Sequence, residues 1–385
     1  MCGENVISIK KIIKKVFGIL PIKNIIVMES NPDFTDNTKL VFDKLIEKKV
    51  NGKYKIIWFV NDSKKFKDNK IKNVKFISAY SKYNILKILR RLYYNATAKI
   101  IIDCNKYIPK IKKEQFRLYL THGTPLKNTL EYGKGIGDID YILEISEFFK
   151  EKNSEIFRKP KECFLNLGFP RNDELFIQIS ANEIFPQCNS EKNIVWLPTY
   201  RKHKDKVDME KSNLRYGLPV LNSEEDFAKV DKVLNENNIM LFIKLHPAED
   251  TSFIKSFNCK NIKLINDEDL AKKGFNLYQF LAASDALITD YSAVYYDYLL
   301  TKKPIALAIS DIEDFKEKHG LFYDYYQTVK GHYVYNAKDL YEFIKNLAQD
   351  NDVYFGERQK CLEKYHTFYD DKSSERVYEF IKKYL

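Results

Sequence analysis

Two short stretches place a histidine directly after an apolar run: Thr121-His122-Gly123-Thr124-Pro125-Leu126-Lys127 and Ile243-Lys244-Leu245-His246-Pro247. An imidazole is suited to take a proton from a hydroxyl near neutral pH. Gly123 lets backbone approach a ligand closely, and Pro247 stops the strand before it. Strand alternation puts Lys244 on the side of His246, so the two together suit a diphosphate. Two further stretches carry an arginine at the same kind of position: Leu167-Gly168-Phe169-Pro170-Arg171-Asn172-Asp173 and Trp196-Leu197-Pro198-Thr199-Tyr200-Arg201. A guanidinium fork binds phosphate oxygens in pairs. A fifth stretch, Ala286 to Leu300, reads as a buried strand, a turn with Thr289, Asp290 and Ser292, and a helix. The free N–H groups and positive dipole end of such a helix make a seat for phosphate. Each stretch has an ordinary alternative: a histidine held by backbone, a structural hinge, a capped helix. Taken together they put two histidines, two arginines and several hydroxyls at the ends of successive strands.

Composition narrows the chemistry. A chain of 385 residues fits two domains of ordinary size, and 44% hydrophobic with 14% aromatic residues fills two cores. Sixty-four basic against 53 acidic residues, net +11, favour an anionic partner. With no Arg-rich block and no zinc-finger spacing, that partner is read as a phospholipid surface or phosphorylated substrate, not nucleic acid. The six cysteines are scattered without a C-x-x-C pair, which fits free thiols in a reducing compartment. The other histidines, His203, His319, His332 and His366, have no metal-ligand spacing. No phosphate-loop, dinucleotide-binding or H-E-x-x-H signature occurs, so no cofactor and no obligatory bound metal are expected. No apolar run spans a bilayer and none resembles a secretion signal, so the expected place is the cytoplasm.

The elements that must position these groups follow from periodicity. Residues 6–20 carry Ile9, Ile12, Ile13, Val16, Phe17 and Leu20 on one helical face and four lysines on the other. Such a helix lies on an anionic membrane or packs on its own domain. Short apolar strands at 24–28, 55–60, 74–77, 98–103, 116–121, 141–145 and 163–167 alternate with helices at 38–48 and 84–94. The pattern restarts after a link at 170–192, with strands at 194–198, 239–245, 262–265, 286–289 and 304–309 and helices at 223–235 and 277–283. Helices at 337–349, 354–365 and 373–384 close the chain. Alternation of this kind builds parallel sheets covered by helices, whose ligands bind at the carboxyl ends of the strands.

The motifs HGTPLKN, GFPRND, LPTYR, KLHP and ITDYSAVYYDYLL, in that order, resemble the CDP-glycerol glycerophosphotransferases, which include teichoic acid primases and polymerases and similar capsule polymerases. The resemblance covers roughly residues 20–370. It implies an α/β, GT-B-like fold: two Rossmann-like domains facing a central cleft, with C-terminal helices crossing back to the first. The implied layout is a basic helix over 1–20, an acceptor domain over 21–185, a CDP-polyol-binding domain over 186–370 and a crossing helix over 371–385. The implied reaction moves glycerol phosphate or ribitol phosphate from a CDP-polyol to a hydroxyl of a lipid-linked saccharide or growing polymer, and CMP leaves. His122 and His246 match the family's important pair, with His122 expected as general base. Gly123, Thr124, Pro125, Arg171, Thr199, Arg201, Lys244, Thr289, Asp290 and Ser292 match its substrate contacts. Ala293 stands where some relatives have a second serine and Tyr200 where Trp is common, which bears on donor choice. The expected setting is the cytoplasmic face of the cell membrane, reached through the basic N-terminal helix, and a homo-oligomer is compatible. The alternatives are a GT-B glycosyltransferase using a nucleotide sugar and a non-catalytic, membrane-associated anion-binding assembly protein.

Overall fold

The computed structural model describes residues 16–81, 83–105, 107–130, 136–199, 214, 216–245 and 259–385. The chain divides into two compact units. The first comprises Met1–Gly123, Thr129–Asp173 and Asp370–Leu385; the second comprises Thr124–Asn128 and Glu174–Tyr369. The sequence reading runs the first domain to residue 185. The unit ends earlier because the following residues belong to the second core: Phe185 packs on Phe242 and Phe280, and the Glu174 carboxylate accepts the Asn276 amide at 2.8 Å.

In the first unit the chain runs β1 (Lys23–Glu29), α1 (Asp36–Glu47), β2 (Lys55–Val60), β3 (Val74–Ser78), α2 (Ile85–Thr97), β4 (Ala98–Asp103), β5 (Phe116–Tyr119), β6 (Tyr141–Glu144), α3 (Glu147–Phe157) and β7 (Phe164–Asn166). All seven strands are parallel, in the order β3-β2-β1-β4-β5-β6-β7. Segments such as Ile56–Val60 and Ile100–Ile102 are buried throughout, as strands covered on both faces require.

The second unit follows the same plan: α4 (Ala181–Ile184), β8 (Lys192–Trp196), α5 (Glu224–Glu236), β9 (Ile239–Ile243), β10 (Ile262–Leu264), α6 (Asp267–Ala271), α7 (Leu277–Ala283), β11 (Ala286–Thr289), α8 (Val294–Tyr298), β12 (Ile305–Ala308), α9 (Ile312–His319), α10 (Tyr325–Thr328), β13 (His332–Val334), α11 (Ala337–Ala348) and α12 (Phe355–Tyr365). Its strand order, β10-β9-β8-β11-β12-β13, repeats the first six positions of the other sheet. Ser223, Asn276 and Asn336 start α5, α7 and α11 with reciprocal capping boxes. Among the described residues, the expected strands and helices from Asn24 onward are present with small shifts at their ends. The helices α3, α4, α6, α9 and α10 and the edge strand β13 are additions to the sequence reading.

The last helix, α13 (Ser373–Ile381), belongs to the first unit and packs on α1. Glu375 reaches Lys48 at 2.8 Å and Lys44 at 3.3 Å, while Tyr384 stacks on Phe116 with ring centres 3.7 Å apart. The GFPRND segment explains why it docks there. Gly168 adopts φ +80°, and a Cβ at that position would stand 2.5 Å from Ser373 Oγ. Asp173 then accepts the backbone N–H groups of Ser373 and Ser374, both at 2.8 Å, and so caps α13 from outside the helix.

Candidate active site

Ligands of a doubly wound sheet bind where the strand order reverses, outside the carboxyl ends of the strands. In the first unit those ends carry Glu29, Asp103, Thr121 and Glu144. Thr121 is the outlier: it is β-branched yet adopts φ +48°, a left-handed conformation that costs on the order of 1–3 kcal/mol. Its surroundings hold it there. The Thr121 carbonyl accepts the Asn37 side-chain amide at 3.2 Å and the buried Cys104 thiol at 2.6 Å. The same amide of Asn37 reaches Leu120 O at 3.0 Å. The turn buries Thr121 and presents His122 as an exposed side chain at the end of β5.

Arg171 secures the next link. It is buried, and its Nη1 donates to His122 O at 2.7 Å and to Asp36 Oδ1 at 3.0 Å. Its backbone N–H donates to Asn37 Oδ1 at 3.1 Å. One nitrogen, Nη1, of the guanidinium expected to grip a phosphate is thus engaged by Asp36 and by the carbonyl of His122. It thereby ties the start of α1 to the backbone of His122. Asp36 and Asn37, at the start of α1, are the residues that sequence reasoning missed. Their signal was a polar pair opening an apolar helix, which by itself says only that a helix begins.

Glu144, one strand further, is fully buried and accepts from Ile145 N at 2.8 Å and from the Asn153 side-chain amide. Burial pushes its carboxyl up to about 8. Its backbone carbonyl receives Leu167 N and Gly168 N, each at 3.2 Å, and so ties β6 to the GFPRND segment.

The carboxyl edge of the second unit is built differently. Asp290 is fully buried, and its carboxylate accepts Thr199 N at 2.9 and 3.0 Å and Tyr291 N at 2.6 Å. Its carbonyl accepts the Tyr325 hydroxyl at 2.7 Å. Thr289 is also buried and donates its hydroxyl to Leu197 O at 2.9 Å. These two residues clamp the loop after β8 to the loop after β11, at the point where the strand order of this sheet reverses. Tyr291 gives its hydroxyl to Asp311 at 2.9 Å and lies against Phe315, with ring centres 3.8 Å apart. Burial and the Asp311 charge raise its pKa. Ser292 is half-buried and accepts Val294 N at 3.4 Å. The helix it opens is one α-turn continued by a 3-10 turn, Leu299–Thr301, so its dipole is smaller than a long helix would supply. Lys244 pairs with Asp267 at 3.1 Å.

The HGTPLKN motif is divided between the units. His122 and Gly123 stay with the first. Thr124–Asn128 joins the second, where Lys127 forms an antiparallel bridge with Leu321 and Asn128 N donates to Gly320 O at 3.1 Å. Thr124 and Pro125 are buried, and the Thr124 hydroxyl has no hydrogen-bond partner. His246 and Arg201, with most of the 6–20 helix, lie outside the described residues. Among the described residues no cluster of three metal-ligating side chains occurs, and no helix is long and apolar enough to cross a membrane.

Comparison with known proteins accounts for this arrangement. The family model for CDP-Glycerol:Poly(glycerophosphate) glycerophosphotransferase matches residues 13–383. The teichoic acid poly(glycerol phosphate) polymerase of Bacillus spizizenii is 26% identical, over 90% of this chain and 90% of that protein. The teichoic acid glycerol-phosphate transferase of Staphylococcus aureus is 25% identical, over 98% and 99% of the two chains. Among solved structures, a histidine variant of the wall teichoic acid polymerase TagF superposes with TM-score 0.72 at 20% identity, over 99% of this chain and 95% of that one. The fold is accordingly GT-B-like, with two parallel α/β sheets. With its five motifs in order and nearly its whole length matched, the chain belongs to the CDP-glycerol:poly(glycerophosphate) glycerophosphotransferase family.

Proposed function

We propose that this protein transfers a polyol phosphate, glycerol phosphate or ribitol phosphate, from a CDP-polyol to a hydroxyl of a lipid-linked saccharide or growing polymer in teichoic acid or capsule synthesis. The observation that carries the reading is the exposed His122, held at a strand end by a strained Thr121 and by Asn37 and Arg171. A residue fixed at such cost, with its side chain outward, suits proton transfer better than packing.

In this reading the first unit serves the acceptor and the second serves the donor. His122 accepts the proton of the acceptor hydroxyl. That oxygen forms a bond to the polyol-bearing phosphorus, the bond from this phosphorus to the CMP phosphate oxygen breaks, and CMP leaves with the electron pair. His246, Arg201, Lys244 and Ser292 stand at the donor diphosphate by their sequence positions, and Thr199 is aimed there by the Asp290 clamp. The buried Thr124 hydroxyl gains a partner from substrate, and Gly123 and Pro125 shape the turn that admits it. Most of the rate then comes from positioning and from charge stabilisation on the phosphates. The reaction takes place at the cytoplasmic face of the membrane, where a lipid-linked acceptor meets a soluble nucleotide donor.

Incubation of the purified chain with CDP-glycerol, CDP-ribitol and a set of nucleotide sugars, with mass analysis of products, tests this. CMP release and a gain of one polyol phosphate on the acceptor are expected. Turnover of a nucleotide sugar alone would assign the chain to glycosyl transfer instead. No turnover of any donor would favour the non-catalytic assembly role.

A further inference from the structure

The net charge of this protein is concentrated. Residues 64–97 hold ten lysines and arginines and one acidic residue, Asp68. That stretch carries +9 of the overall +11, so the other 351 residues together carry +2. It comprises the approach to the edge strand β3, the strand itself and the helix α2. From Ala79 to Thr97 there is no acidic residue at all.

The same stretch holds an uncovered apolar stripe. Tyr83, Ile85, Leu86 and Leu89 are 91%, 69%, 77% and 44% exposed. Ile85, Leu86 and Leu89 share one side of the first two turns of α2, bordered by the exposed Lys87 and Arg90. The far end of α2 is packed normally: Asn95, Ala96 and Thr97 are buried, and Arg91 lies over the rings of Phe59 and Tyr80. Single exposed apolar residues are ordinary, whereas a contiguous group rimmed by cations marks an interaction surface.

We propose that the first two turns of α2, with Tyr83, form a docking face for an anionic lipid bilayer. Apolar side chains of this kind enter the headgroup boundary while neighbouring cations meet the lipid charge. Topology gives the contact a purpose. The strand β3 ends at Ser78 and α2 runs back to the start of β4, so its exposed turns stand at the carboxyl edge of the first sheet. The His122 turn follows β5 at that same edge. Docking there turns the acceptor side of the unit toward the surface in which a lipid-linked acceptor is anchored. That purpose rests on the transfer reading; the surface itself does not.

Flotation of the full chain with vesicles tests the assignment. The protein is expected to float with phosphatidylglycerol/phosphatidylcholine vesicles and not with phosphatidylcholine alone. Leu86→Glu/Leu89→Glu, at exposed positions, should abolish flotation with an unchanged circular dichroism spectrum. Replacing Lys87 and Arg90 by Glu should weaken it roughly fivefold for each cation removed. Replacing Lys10, Lys11, Lys14 and Lys15 by Gln should leave most of it. Undiminished flotation of a folded Leu86→Glu/Leu89→Glu protein would overturn the proposal. So would loss of flotation in the Lys10-to-Lys15 variant alone, or conversion of a dimer to a monomer by the α2 changes with flotation unaltered. CMP release with a soluble acceptor analogue, run in parallel, should be the same in wild type and the α2 variants. Its absence from wild type would remove the transfer reading while flotation still decided the surface.

Discussion

The two sheets share a strand order over six positions, yet their carboxyl edges are built to opposite ends. The first uses its loops to push one side chain outward. Thr121 is bent into a left-handed turn, Asn37 and Cys104 hold its carbonyl, Arg171 holds the next one, and His122 is left exposed. Among the described residues, the second turns the polar side chains at the end of β11 inward. Asp290 and Thr289 are buried, and what they shape is the backbone of the loop after β8. A shared topology therefore fixes where a site is placed, while the loops decide whether a strand end delivers a reactive side chain or a rigid frame.

That contrast can be broken by substitution. His122→Ala should lower turnover by about 10²–10⁴-fold with the melting temperature unchanged, since an exposed base contributes to rate and little to packing. Steady-state CMP release set beside thermal denaturation checks this, and near-normal turnover would remove His122 from the chemistry. Asp290→Ala should do the reverse in kind. It leaves buried N–H groups of Thr199 and Tyr291 without their acceptor and should cost about 2–4 kcal/mol of stability. Urea unfolding measures it, and a loss below the error of the method would mean that the clamp is not structural.

A smaller effect sharpens the first half of the comparison. Arg171→Lys keeps the charge beside Asp36 but loses the fork that also reaches His122 O. Turnover should fall about tenfold with donor KM little changed if the bond to His122 O, and not a phosphate contact, is what the residue supplies. A large rise in donor KM with unchanged kcat would restore Arg171 to the phosphate contacts. The smallest effect concerns Glu144. Its folded-state pKa is raised to about 8, above that of the unfolded chain. The stabilising protonated form is full at acid pH and is lost as pH rises through 8. Melting temperature should therefore decline over that interval, and Glu144→Gln should flatten the decline. An identical profile in both proteins would contradict the burial argument.

The alternation of apolar strands with helices made the two-sheet plan legible, because strands covered on both faces need continuous apolar runs such as Lys55–Val60 and Ile239–Ile243. The edge strand His332–Val334 escaped notice since three residues with one buried side chain carry no period. The motifs showed where polar groups gather and not which way they point. Arg171 and Asp290 look like ligand contacts in a linear reading, and their partners, Asp36 and Thr199, lie more than ninety positions away. The apolar content of α2 was equally plain in the sequence, but periodicity does not say which stripe another element covers.

The capping of α13 by Asp173 has a consequence for synthesis. The unit that bears His122 is assembled from segments on both sides of Glu174–Tyr369, the main segment of the other unit. A ribosome therefore releases Glu174–Tyr369, the second unit's main segment, before Ser373 emerges, and the Gly168–Asp173 segment waits for its partner until then. Nascent chains stalled before Ser373 should be cut by protease within residues 1–173 and spared within 174–369, and uniform protection would show that the early unit closes without its final helix.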